Sequence, residues 1–227
     1  MEEKKYGKVL TIILIIVVIG VLILLSFLGF DVYKKFENKK ESEEMIAEFE
    51  NSILNIVNDN QDNTNTELPN VETPPTENNN NINENPGTTP TKPQYQDKYN
   101  MEGIIEIPAI KLKCAILEKT TISSIEVAVA IMYSENGLNK PGNTVIAGHN
   151  YRNGSFFGNN DRLKVGDKVY ITDNSGKKVK YNIYNIYETS AEDSDFIIRE
   201  TNGKREISLS TCTDNSKGRL IIWAVEE

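Results

Sequence analysis

Histidine and cysteine are scarce in this chain, one and two respectively among 227 residues. A structural zinc site takes four Cys or His ligands, and three such side chains in all leave that class unfilled. No metal site is expected. Two cysteines make no disulfide framework. No glycine-rich phosphate loop and no dinucleotide-binding glycine pattern occurs. Excess positive charge is missing as well. The net charge is -8, and residues 31–100 hold most of the imbalance, with 6 basic against 14 acidic side chains. Residues 101–227 are nearly balanced, 16 basic against 17 acidic. Nucleic acid is therefore not an expected partner.

What is present begins with Val9 to Phe30, 22 residues without a charge, in which only Thr11 and Ser26 are clearly polar. About 20 residues of helix cross a bilayer core. A signal peptide has a shorter apolar core, roughly 7–15 residues, and a small-residue cleavage site. Here the run is longer and leads into Asp31-Val32-Tyr33-Lys34-Lys35. Residues 9–30 are read as an uncleaved transmembrane anchor, ahead of the alternative of a cleaved signal peptide. Lys4, Lys5 and Lys8 precede the run, and Lys34, Lys35, Lys39 and Lys40 follow it, so the positive-inside rule does not separate the flanks. Residues 1–8 are taken as a short cytoplasmic tail, with the long remainder outside.

Residues 31–57 place Ile46, Phe49, Ile53 and Ile56 at helical spacing among many charges. They read as a juxtamembrane helical spacer, solvated and not a docking surface. Residues 58–100 are rich in Asn, Thr and Pro and poor in apolar side chains, too few to offset ordering entropy. They read as a disordered tether. From Met101 onward short strand-like runs follow one another at 103–107, 112–117, 144–148, 168–172, 179–187, 206–211 and 219–225, separated by turn residues. Asp173-Asn174-Ser175-Gly176 reads as a hairpin loop. The apolar parity switches between Ile183 and Tyr184, which predicts a bulge or corner. A helix is expected around 123–130, and a further turn at 195–199. Seven or eight short strands in residues 101–227 predict an all-β domain closed into a barrel, large enough to hold its own core.

His149 is the one imidazole available for proton transfer near neutral pH. It ends the apolar run Thr144-Val145-Ile146-Ala147-Gly148 and opens a loop rich in Asn and Gly, where functional side chains are often presented. Cys114 shares parity with Leu112 and Ile116 and reads as a small buried hydrophobe. Cys212 differs. It closes the run Ile207–Thr211 and enters a turn, and Arg219 opens the last strand seven residues later. Such a hairpin can set Cys212 and Arg219 side by side. The thiolate is the nucleophile, His149 can move protons, and a permanently charged Arg suits an oxyanion. The same spacing also fits a Cys and an Arg that merely pack together. A Cys114–Cys212 disulfide would consume this nucleophile and needs Cα atoms within about 7 Å; it is not expected.

Leu209-Ser210-Thr211-Cys212 with Arg219, the segment Thr144–Asn150, and Phe157, Leu163 and Gly166-Asp167 together resemble the sortase family. The resemblance covers about residues 101–227. It implies a sortase-like closed β-barrel of about eight strands with one or two short helices, preceded by the anchor and tether. It implies a membrane-anchored cysteine transpeptidase, single-pass, with the catalytic domain extracellular, as in Gram-positive bacteria. Its substrates would be secreted proteins bearing an LPxTG-like sorting motif, and its acceptor a peptidoglycan precursor or another amine. Carried over, Cys212 is the nucleophile, His149 the general acid, Arg219 the oxyanion or substrate-positioning group, and Thr211 a substrate-binding residue. No second hydrophobic span ends the sequence and no Asp-Pro-aromatic motif lies in the tether, which argues against the pilin-polymerising class. Some family members bind calcium. Glu188, Glu192, Asp193 and Asp195 form an acidic cluster but lack a ligand-loop spacing, so no cofactor is expected. A thiol hydrolase on the same barrel and a catalytically silent tethered binding module remain as alternatives.

Overall fold

A computed structural model describes residues 3–62, 94–95, 99–213 and 217–227. The chain divides into two units, residues 1–41 and 42–227, to both of which helix α1 (Glu3–Asp62) contributes. In the first unit, residues 11–30 are apolar all round and exposed. Among the described residues α1 is the one helix long and apolar enough to cross a membrane, by length and composition. The expected tether, 58–100, lies mostly outside the described residues. Of it, α1 takes residues up to Asp62, Gln94–Tyr95 form strand β1, and Tyr99 opens strand β2.

In the second unit eight strands close on themselves: β2 (Tyr99–Ile107), β3 (Leu112–Leu117), β4 (Val129–Ser134), β5 (Gly142–Ala147), β6 (Lys168–Asp173), β7 (Lys178–Ser190), β8 (Arg205–Cys212) and β9 (Gly218–Glu226). The order around the barrel is β2-β3-β4-β5-β8-β9-β7-β6, and β6 pairs back onto β2. Closure removes open sheet edges, and β1 only extends the start of β2. The alternation in β6 is regular, with Val169, Ile171 and Asp173 buried and the intervening residues less so. At the β6–β7 turn the Asp173 carboxylate accepts the backbone N–H of Ser175 at 3.0 Å and of Lys177 at 3.2 Å. The bulge in β7 falls between Ile183 and Asn185, where its register against β9 shifts.

Two expectations change. The helix at 123–130 shrinks to α2 (Ile122–Ile125), and Val129 and Ala130 instead begin β4, parallel to β3 and antiparallel to β5. The run Val127-Ala128-Val129-Ala130 is fully buried, and a β-branched run filling the gap between two strands gains more from pairing than from a short helix. The second concerns residues 31–57. From Ser42 onward this stretch is no solvated spacer, because Met45 and Phe49, each 1 % exposed, belong to the same apolar cluster as the barrel core. Ile46 and Ile53 pack on that cluster. The i, i+4 spacing of 45, 49 and 53 puts these side chains on one helix face. Glu50 pairs with Lys113 of β3 at 2.6 Å. The expected turn at 195–199 contains no helix, only a turn over 195–197.

Candidate active site

Strands β5 and β8 run parallel, with Ala147 opposite Ser210. Their carboxyl ends therefore emerge together. Beyond β5 the chain gives Gly148 and His149, and β8 ends on Cys212. Three bonds tie the two segments. The Gly148 N–H donates to Ser210 O at 3.1 Å, the Thr211 hydroxyl donates to Gly148 O at 2.7 Å, and the Asn150 amide donates to Cys212 O at 2.8 Å. Gly148 admits no side chain. A Cβ there would lie 2.7 Å from Phe157 and 2.8 Å from Val129. The loop beyond His149 folds back, with Phe157 N–H donating to His149 O at 3.1 Å and Asn150 bridging to Phe156.

Cys212 and Arg219 are direct partners in the β8–β9 ladder. The Arg219 guanidinium donates from Nη1 to Cys212 Sγ at 3.2 Å. Both cysteines are free, Cys212 half-buried and Cys114 buried. The Cys212 sulfur thus has a cationic neighbour. Cys114 is the reverse case. Burial pushes its thiol up to about 11, only partly offset by hydrogen bonds to the backbone of Val129, the Ser42 side chain and the backbone of Ala115.

Thr211, expected to bind substrate, spends its side chain inside the protein. Strand alternation turns it away from Cys212 into the barrel, where it is 3 % exposed and its hydroxyl is spent on Gly148. It fastens the histidine segment to the cysteine strand.

Residues not singled out from the sequence complete the surroundings. Glu126, just past α2, brings Oε1 to 3.3 Å from His149 Nε2. Its Oε2 accepts the Tyr151 hydroxyl at 2.8 Å. The Tyr151 ring lies 4.9 Å from the imidazole, tilted by 36°. Glu126 was hidden inside the helix expected at 123–130, and no spacing rule ties it to His149.

The β7–β8 connection, 191–204, packs on the outer face of β5 and β9. Phe196 is buried against Val145 and Ile221, the outward-facing residues of β5 and β9. The Asn143 amide donates to the carbonyls of Phe196 and Ile197 at 3.0 and 2.9 Å. Arg199 stacks 4.2 Å from the Trp223 ring and pairs with Glu206 at 2.8 Å. In the acidic cluster Thr189 donates to Asp193, which also accepts the Asp195 N–H at 2.8 Å. These bonds hold the Asp193 carboxyl below its ordinary range, Thr189 first. Among the described residues no group of three His, Cys, Asp or Glu side chains is arranged to hold a metal ion. A cleft of about 440 Å³ lined by Tyr133, Asn143, Ile197 and Arg199 sits at the opposite end of β5 and includes neither Cys212 nor His149.

A sortase-domain family model matches residues 105–227. A sortase A from Bacillus anthracis is 33 % identical over 129 residues, 55 % of this chain and 60 % of that protein. The chain thus spans less than two thirds of the curated relative's length. Among solved structures, a sortase D5 transpeptidase of Clostridium perfringens is 28 % identical with a TM-score of 0.51, over 56 % of this chain and 79 % of the other. A lid mutant of sortase A from Corynebacterium diphtheriae is 26 % identical with a TM-score of 0.52, over 57 % and 72 %.

Proposed function

The chain belongs to the sortase family, and from that premise we propose that it is a membrane-anchored cysteine transpeptidase acting outside the cell. The apolar stretch of α1 supports the anchor. The substrate is a secreted protein with an LPxTG-like sorting motif, and the acceptor is a cell-wall amine. The observation that carries the reading is the 3.2 Å hydrogen bond from Arg219 to the half-buried Cys212 sulfur, on a strand end tied to the segment that holds the only imidazole of the chain.

Cys212 Sγ attacks the scissile carbonyl as thiolate. The carbonyl oxygen gains the negative charge, and Arg219 is the cation beside it. Collapse of this intermediate breaks the C–N bond, and His149 gives its proton to the departing amine. A thioester remains on Cys212. The acceptor amine then attacks the thioester, loses a proton to His149, and leaves with a new amide bond as the thiolate is released. Atoms and charge balance with no cofactor.

Mixing the intact chain in detergent with a pool of LPxTG-like peptides tests this by intact mass. The expected result is a peptide adduct on the parent and none on Cys212→Ala. Added amine should then convert the adduct to a transpeptidation product. No adduct on the parent, with Cys212 inert to alkylation, overturns the reading. Release of free acid even with amine in excess would make the protein a hydrolase.

A further inference from the structure

Glu126 reaches His149 from a separate element, and its position is strongly determined. Thr121 and Ser124 form a reciprocal capping box at the start of α2. The hydroxyl of Ser124 also donates to Lys119 O at 2.9 Å. Such a box fixes how the chain enters a helix, and Glu126 is the residue on which this short helix ends. Tyr151 then pins the carboxylate through Oε2. Burial, and after it the hydrogen bond to Glu126, push the Tyr151 phenol well above its ordinary value. The phenol therefore keeps its proton and stays a donor. The other oxygen, Oε1, lies 3.3 Å from His149 Nε2.

His149 Nε2 is closed off from solvent and has no hydrogen-bond partner among the described residues. The 3.3 Å contact with Glu126 Oε1 is close enough for ion pairing but does not meet hydrogen-bond geometry. Catalytic hydrogen bonds are often long in the free enzyme and tighten with substrate bound. A neutral imidazole has its proton on one nitrogen only, and the bond made at one nitrogen decides the state of the other. An acceptor at Nε2 keeps the proton there and leaves Nδ1 as the nitrogen that exchanges protons with the thiol and the amine.

We propose that Glu126 is a positioning residue for His149, accepting the Nε2 proton so that Nδ1 serves the acyl transfer, with Tyr151 holding the carboxylate in place. The inference rests on the acid–base role given to His149 above.

The single histidine makes the test direct. The intact chain, labelled with ¹⁵N-histidine and held in detergent, shows one set of imidazole signals in alkaline buffer, where free imidazole is neutral. The parent should show mainly the Nε2–H tautomer. Glu126→Ala should move it toward Nδ1–H. The same variant should slow acylation by a sorting-motif peptide at least tenfold, a small part of the ~10²–10⁴-fold a positioned acid–base group supplies, with KM unchanged. Glu126→Gln, which keeps an acceptor oxygen at the same reach, should restore most of both. Tyr151→Phe, which removes only the hydroxyl, should fall between. Fluorescence of Trp223 checks that each variant is folded. An unchanged tautomer ratio or an unchanged acylation rate in folded Glu126→Ala overturns the proposal. If the parent forms no adduct at all, the transpeptidase reading fails, and the tautomer ratio still decides whether Glu126 holds the ring.

Discussion

The two cysteines of this chain sit in opposite regions of one barrel. Cys114 is on β3, hydrogen-bonded to Ser42 of the α1 segment that brings Met45 and Phe49 into the core, and belongs to the same buried apolar cluster. Cys212 is at the open end of β8, half-buried, with a guanidinium 3.2 Å from sulfur. Burial without a cation drives the first thiol toward its neutral form, to about 11. The second has a charge partner and a route to solvent. Reactivity follows from these surroundings and not from residue type. The docked helix makes the β3 side a packed wall, and the proposed site lies at the end where three strands and the histidine loop converge.

The sharpest way to break this contrast is to remove the cation. Arg219→Ala should lower the acylation rate of Cys212 by about 10²–10³-fold, as loss of one oxyanion donor does, while Cys114 stays unlabelled. Stopped-time intact mass with a sorting-motif peptide measures it, and an unaltered rate would remove Arg219 from the mechanism. A change at the packed wall comes next. Phe49→Ala should cost about 3–5 kcal/mol of barrel stability, the usual range for a buried Phe, and expose Cys114 to alkylation. Urea unfolding followed by the single tryptophan, together with peptide mapping of labelled thiols, checks both. The smallest effect is on pH dependence. The folded chain holds the Cys114 proton more tightly than the unfolded chain, whose thiol sits near the ordinary 9.0. This group therefore leaves stability unchanged below about 9 and weakens the fold as pH rises from there to about 11. Parent and Cys114→Ala should differ in the slope of unfolding free energy over that interval, the parent falling more steeply.

Much of the barrel was readable because its strands alternate or run apolar between turn residues. The hairpin at Asp173–Gly176 and the parity switch after Ile183 both describe local backbone events, and both stand where sequence pattern put them. The failures share a cause. Val129–Ser134 pairs with β3 on one side and β5 on the other, and partners distant in sequence outweighed a weak helical pattern. Phe49 was visible as an amphipathic position, yet whether its face meets solvent or a barrel depends on a surface built from Tyr99 onward. Thr211, adjacent to Cys212 in sequence, lies on the opposite face of the strand, a placement that alternation alone predicts.

The sequence by itself supplied the groups and the resemblance. One imidazole, one cysteine at a strand end and one arginine opening the next strand fit an acyl-transfer site and fit a merely packed hairpin as well, the likeness to sortases favours the first, and a charge-free run of 22 residues suits only an apolar surrounding. Only the tertiary structure decided what surrounds those groups. The distance from Arg219 to sulfur, the burial of Cys114 beside Ser42 of α1, and the meeting of Glu126 with His149 all depend on side chains from separate elements. Local spacing cannot encode such meetings, because closing the barrel sets them.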